Sequence, residues 1–185
     1  MAKRFSKTDW LDLGLQAVTQ DGPAALRIDT ICARAKRTKG SYYHHFSGRE
    51  DFTDHLLHHW EQKLTEAVIA ETERQDDPVE KLIALNRITD ELDMGVETAL
   101  RRWAGAEQVV ADAIAKIDKR RIDYVASLLM QAKDIASQQA IDLAVMNYAS
   151  LIGTQLMFTP ISAARRRRMA QLYVDILDEL PDHAP

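Results

Sequence analysis

The chain of 185 residues carries 24 Lys and Arg against 28 Asp and Glu, 46% hydrophobic and 6% aromatic residues, and a single cysteine, Cys32. One cysteine excludes an internal disulfide framework and a CxxC zinc site. The basic, polar start MAKRFSKTDW and the lack of any run of 18 uncharged apolar residues speak against a secretory signal or a membrane span. Ala, Leu, Glu, Arg and Gln dominate without β-branched runs between turns, so the expectation is an all-α cytoplasmic protein.

The net charge of -4 hides an asymmetry. Residues 1–50 hold nine Lys and Arg against five acids, +4, and the remainder holds 15 against 23, -8. A basic head on an acidic body suits a phosphate-binding module joined to a domain that does not touch nucleic acid.

Ser6 and Asp9 form a capping-box pattern that opens a helix over about 7–21, closed by Gly22 with Pro23 as a stop. A short helix is predicted at about 28–35, with Ile28, Ile31, Cys32 and Ala35 on one face. Thr38 then caps a very short helix to about His45, and two short helices about three residues apart make a helix-turn-helix candidate. Ser47-Gly48-Arg49-Glu50 reads as a second capping box opening a long helix over about 48–75, with Phe52, Leu56, Trp60, Leu64 and Val68 at helical spacing. Asp77-Pro78 is a cap with proline at the first helical position. Further helices are predicted at about 78–93, closed by Gly95, and at 96–104, 107–132, 138–158 and 163–180, about nine in all. The 138–158 segment is apolar on nearly every side and is expected to be buried all round.

The stretch from Ile28 to Phe52, centred on Thr38-Lys39-Gly40-Ser41-Tyr42-Tyr43-His44-His45-Phe46, resembles the DNA-binding domain of the tetracycline-repressor (TetR) family. The resemblance covers about residues 7–60 at motif level, and the later helices agree in number and order with that family's ligand-binding and dimerisation domain. It implies a three-helix helix-turn-helix domain at 1–50 and a helical effector-binding and dimerisation domain at 51–185, linked by the long helix. The implied function is a ligand-responsive DNA-binding regulator, a repressor released by a small apolar or aromatic effector. The implied partners are an operator duplex and a second copy of the chain.

Elementary chemistry gives the motif residues their roles. A recognition helix this short enters the major groove by its N-terminal end, so Thr38, Lys39 and Ser41 are the candidates for base edges or phosphates. Gly40 removes the side chain that would hold the backbone off the duplex. Tyr43, His44 and Arg49 are candidate phosphate donors, beside the N–H groups of the helix opening at Gly48. Tyr42 and Phe46 are expected to pack inward. Three positions depart from the family pattern. Lys36 stands where a glycine is usual, which predicts a strained left-handed turn costing about 1 kcal/mol. Arg37 replaces an inward apolar residue and adds a charge beside the duplex. Arg27 replaces a hydroxyl cap, with Asp29 compensating through the helix dipole, and is itself placed to reach a phosphate.

In the body, Met94, Trp103, Tyr124, Asn147 and Gln155 are the chief candidates for an effector pocket, with Met130, Met146, Tyr148, Met157 and Phe158 as further lining. Trp103 carries the most weight, because Ala104-Gly105 leaves that helix end free to shift. The rival reading is a divalent metal held by His55 and His59 at i, i+4, with Asp51 as third ligand. A non-DNA-binding helical dimer is a second rival. No nucleophile elbow, phosphate loop or HExxH motif is found, so neither catalysis nor a cofactor is expected.

Overall fold

The structure, a computed structural model, describes residues 5–157 and 161–179. Among them are nine helices and no strand, taking the run from Arg49 to Thr72 as one. They are α1 (Lys7–Asp21), α2 (Ile28–Ala35), α3 (Lys39–Tyr43), α4 (Arg49–Glu61, a π turn Gln62–Glu66, then Ala67–Thr72), α5 (Pro78–Glu91), α6 (Gly95–Ala104), α7 (Gln108–Ala132), α8 (Ser137–Leu156) and α9 (Ala163–Glu179). The all-α expectation holds, and no described helix is long and apolar enough to cross a membrane.

Local chemistry explains most helix ends. At α1 the capping box forms in both directions: the Asp9 N–H donates to Ser6 Oγ, and the Ser6 N–H donates to the Asp9 carboxylate. Gly22, at φ 74°, closes the helix with its N–H on the Val18 carbonyl. Pro23 then opens a 3-10 turn, Pro23–Leu26, that the punctuation did not predict. Asp77 caps α5 through the Val79 and Glu80 N–H groups. Two predicted caps differ. Gly48 itself is the N-cap of α4 and supplies no side-chain bond, while the Ser47 N–H is taken by Asp51 at 2.7 Å, so the Ser47–Glu50 box does not form. Gly95 does not close α5, which ends at Glu91, but is the first residue of α6.

The chain divides into two compact units, Met1–Leu64 with Met94–Ala115, and Thr65–Asp93 with Lys116–Pro185. The divisions fall inside the π turn of α4, between α5 and α6, and inside α7. In unit 1, α1 packs against the first part of α4 and against α6. Gly14 permits the close approach to α4, since a Cβ there would lie 2.8 Å from both Leu56 Cδ1 and Phe52 Cζ. The core of this unit is aromatic: Trp10, Tyr42, Phe46, Phe52, Trp60 and Trp103 are all buried. Unit 2 has a core of smaller residues, with Val125, Ala126, Leu129, Ala140, Ala144 and Leu177 at its centre.

The prediction that α8 is buried all round is corrected. Ala140, Ala144 and Tyr148 face inward, whereas Ile141, Val145 and Met146 are exposed, Met146 by 66%. Among the described residues only one stripe of this helix finds partners, and its apolar side chains on the other side are left uncovered.

Candidate functional site

The predicted nucleic-acid interface is an exposed ridge on unit 1, and its shape begins with how α2 ends. Lys36 lies at φ 51°, ψ 45°, the one non-glycine residue with positive φ among those described. Its N–H bonds to the Ala33 carbonyl and the Arg37 N–H bonds to the Cys32 carbonyl, the paired closure of a Schellman motif. The left-handed turn expected there is thus present, held by two backbone bonds in place of a glycine. It turns the chain so that residues 36–40 are exposed in succession.

The N-terminus of α3 is capped by Thr38, whose hydroxyl accepts the Ser41 N–H at 3.3 Å. That oxygen therefore has a structural role beside any role at a base edge. Gly40 has a different logic. A Cβ on it would meet nothing nearer than Thr38 Oγ1 at 3.7 Å, so no contact within the described chain requires glycine. Tyr42 is fully buried, donates to the Gly48 carbonyl at 3.1 Å, and stands edge-on to Trp10, while Phe46 packs against Phe52. Burial pushes the Tyr42 hydroxyl pKa well up, so it stays a neutral donor. This aromatic cluster pins α3 from beneath and leaves Tyr43, 53% exposed, and His44 on the outer side.

The cations of the ridge fall into two groups. Arg27 and Lys36 are exposed with no ion-pair partner among the described residues, and Arg37 lies over the Phe5 ring at 5.5 Å. Arg37 thus partly recovers, through its guanidinium over the ring, the packing that an apolar residue would supply. Lys39 and Arg49 are engaged within the chain. Lys39 pairs with Asp29 at 2.5 Å, which raises its pKa through that hydrogen bond, and Arg49 pairs with Glu107 at 2.7 Å. All four of these side chains are substantially exposed, so the pairs are weak and open to exchange with a stronger anion. The Glu107 partner was not foreseen; it lies 58 residues from Arg49 and a single sequence carries no signal of the pairing.

The rival metal reading does not find its geometry. His59 Nε2 meets Asp12 Oδ1 at 2.8 Å, a carboxylate that also accepts from Lys63 at 2.9 Å. His55 Nε2 lies 2.8 Å from Lys7 Nζ and 3.3 Å from Asp51. The two rings turn to different partners on α1, and no group of three ligating side chains converges among the described residues.

Unit 2 contains a small, partly open hollow between α5, α7, α8 and α9 that encloses about 40 Å³. Of the chief pocket candidates only Asn147 lines it. Trp103 is corrected to a core residue: it lies in unit 1, is 2% exposed, and follows Leu100 by three residues on the face of α6 that packs inward. Its indole N–H has no hydrogen-bond partner among the described residues. Met94 is the N-cap of α6 in unit 1, and Gln155 stands half-buried on α8 away from the cavity lining. Tyr124 donates to Glu73 at 2.6 Å and Tyr148 to Asp118 at 2.7 Å, with Arg121 bonding both Tyr148 and Thr65. These tyrosines belong to polar networks joining helices, which sequence reasoning missed because the partners are 27 to 56 residues apart. Met130, Met146 and Met157 are exposed, and Phe158 lies outside the described residues.

The short α2, the left-handed turn and α3 seated on α1 and α4 define a helix-turn-helix head, followed by a helical body. The same fold is found in solved transcriptional regulators. A TetR-family transcriptional regulator from Streptomyces coelicolor superposes with a TM-score of 0.75 at 18% identity, covering 94% of this chain and 90% of its own. A transcriptional regulator from Rhodococcus sp. Rha1 gives 0.73 at 19%, covering 97% and 100%. A Saccharomonospora viridis protein described as a transcriptional regulator, solved in complex with choline, gives 0.73 at 14%, covering 91% and 95%. No family profile matches the chain, and no curated protein matches it in sequence. The all-α fold shared with TetR-family regulators is therefore established by structure over nearly the whole chain.

Proposed function

We propose that this protein is a sequence-specific, DNA-binding transcriptional regulator whose grip on an operator is released by a small molecule. The observation that carries this reading is the ridge Lys36–His44. Its exposed basic and hydroxyl side chains sit on a helix held by buried Tyr42 and Phe46, around a glycine that no contact among the described residues requires. A glycine needed by no internal contact fits a backbone that must approach an external surface. In this reading Thr38 and Ser41 read base edges. Arg27, Lys36, Arg37, Lys39, Tyr43, His44 and Arg49 hold phosphates, the last exchanging Glu107 for the duplex. Residues 1–50 form the DNA head, and the rest serves effector binding and dimerisation. No catalytic role is assigned.

Two copies are required. Ile141, Val145 and Met146 on α8 and Leu172 and Ile176 on α9 are exposed apolar residues on neighbouring elements of one chain. Pairing these stripes in a two-fold four-helix interface would cover them and present two heads to an operator with two half-sites. The effector acts by linkage: a ligand that favours the conformation less suited to DNA weakens operator binding by the same factor. That one neighbour of this fold holds choline supports a small-molecule effector as a class.

The test is selection of duplexes from a randomised library followed by mobility shift. Enrichment of a two-fold symmetric site, with Thr38→Ala and Ser41→Ala changing the bases tolerated at one or two positions, is the expected result. A chain that enriches no sequence, or that stays monomeric at micromolar concentration with and without DNA, refutes the reading.

A further inference from the structure

The face that α9 leaves exposed has a charge order that a lone helix disfavours. Its N-terminal half holds the exposed Arg165, Arg167 and Arg168, and its C-terminal half holds the exposed Asp175 and Glu179. Cations near a helix N-terminus and acids near a C-terminus both oppose the helix dipole. Arg166 alone of the arginine run turns inward, to Asp90 at 2.7 Å and the Ile161 carbonyl at 2.9 Å. Arg165, Arg167, Arg168 and Glu179 have no ion-pair partner among the described residues, and Asp175 accepts from the Gln171 amide at 2.8 Å.

The order of positions matters as much as the charges. Arg165, Met169, Leu172, Ile176 and Glu179 follow one another at steps of four, three, four and three residues, which makes them one seam along the helix. All five are exposed, Leu172 by 58%. The seam is symmetric about Leu172, with an apolar residue three or four positions away on either side and a charge seven positions away, basic on one side and acidic on the other. A second α9 laid along it in the opposite direction, Leu172 on Leu172, sets Arg165 against the partner's Glu179, Arg168 near the partner's Asp175, and Met169 against the partner's Ile176. Each arginine run then lies beside the C-terminal half of the other helix, so both dipole conflicts are relieved. Parallel pairing would instead bring like charges together at both ends.

We propose that this seam pairs antiparallel with the same seam of a second copy, about a two-fold axis at Leu172, with Arg165 and the partner's Glu179 as ion pairs at both ends. The proposal rests on the two-copy reading above and adds to it the direction and register of one helix pair and a dependence of the dimer on salt.

Sedimentation equilibrium of the full chain measures the dimer dissociation constant. The axis doubles every contact, so Arg165→Glu and Glu179→Arg should each raise that constant at least tenfold, and the two together should return it to within threefold of the wild type. Salt raised from about 50 mM to about 500 mM should weaken the wild type more than a variant carrying both Arg165→Gln and Glu179→Gln. In a Cys32→Ser background, mild oxidation should link Leu172→Cys to itself. It should not link Arg165→Cys, whose two copies stand about 21 Å apart along the axis in this register. The register is overturned, with the two-copy reading intact, by a dimer in which Arg165→Cys links to itself or Leu172→Cys does not. A dimer unmoved by the single charge reversals, by salt, or by their combination relative to the singles overturns it equally. A chain that is monomeric at every salt concentration overturns both readings.

Discussion

All three tryptophans lie in unit 1, each at most 2% exposed, Trp10 stands edge-on to Tyr42, and the indole N–H groups of Trp10 and Trp103 have no partner among the described residues. The aromatic residues described in unit 2 are tyrosines, and every one of their hydroxyls is spoken for: Tyr124 by Glu73, Tyr148 by Asp118, Tyr173 by the Leu143 carbonyl. The first unit gains its order from large rings in a sealed core, accepting unsatisfied donors in return. The second ties smaller residues together by polar bonds between helices and leaves a cavity open among them. Under the proposed function, a head that presents one surface to a duplex would be served by the first arrangement, and a body that admits a ligand by the second.

The contrast is broken most severely at Trp103. Trp103→Ala should destabilise unit 1 by about 3–5 kcal/mol, read as a fall in the denaturation midpoint. An unchanged midpoint would show that Trp103 does not hold this core together. Gly14→Ala comes next, at about 1–3 kcal/mol, because the new methyl must displace two fully buried side chains, Phe52 and Leu56.

In unit 2 the expected effects are smaller and polar in origin. Tyr124→Phe should cost about 1 kcal/mol by removing one hydrogen bond to a half-exposed carboxylate. The same pair has a pH signature. Hydrogen bonds from Lys81 and then Tyr124 hold the Glu73 carboxyl below its ordinary value of 4.5. The unfolded chain therefore takes up the proton first as pH falls. The stabilisation is complete above that value and is lost as pH drops through the folded-state pKa. Melting temperatures measured across the acid range should depend less on pH in Glu73→Gln than in the wild type; identical slopes would remove Glu73 from this role.

Lys36→Gly sharpens the comparison within the head. Relief of the left-handed strain should stabilise the chain by up to about 1 kcal/mol, while DNA binding should weaken and its salt slope fall by about one counterion. A variant that gains stability and keeps the wild-type slope would show that Lys36 does not touch phosphate. The smallest effect is expected for Glu107→Gln, which frees Arg49 from an exposed pair. Affinity for nonspecific duplex should rise by no more than about fivefold, and a fall would mean that Glu107 positions Arg49 for DNA.

How much of this was legible beforehand depended on the distance over which each feature is decided. The α1 capping box, the Gly22 stop, the Asp77-Pro78 start and the left-handed Lys36 turn are settled by neighbours within a few residues, so the order of residue types along the chain suffices to find them. Inward Tyr42 and Phe46 follow from the helical period of a short motif. The α4 opening was misjudged because two adjacent residues, Ser47 and Gly48, compete for one N-cap and Asp51 decides between them. Tertiary structure alone decided which aromatic residues seal a core and which brace a network. It also decided that α8 hides one stripe and shows another, that Glu107 meets Arg49, and that Asn147 rather than Trp103 borders the cavity. Apolar periodicity reports that a helix has something to bury, but the identity of the surface that buries it depends on helices that fold against it from elsewhere in the chain.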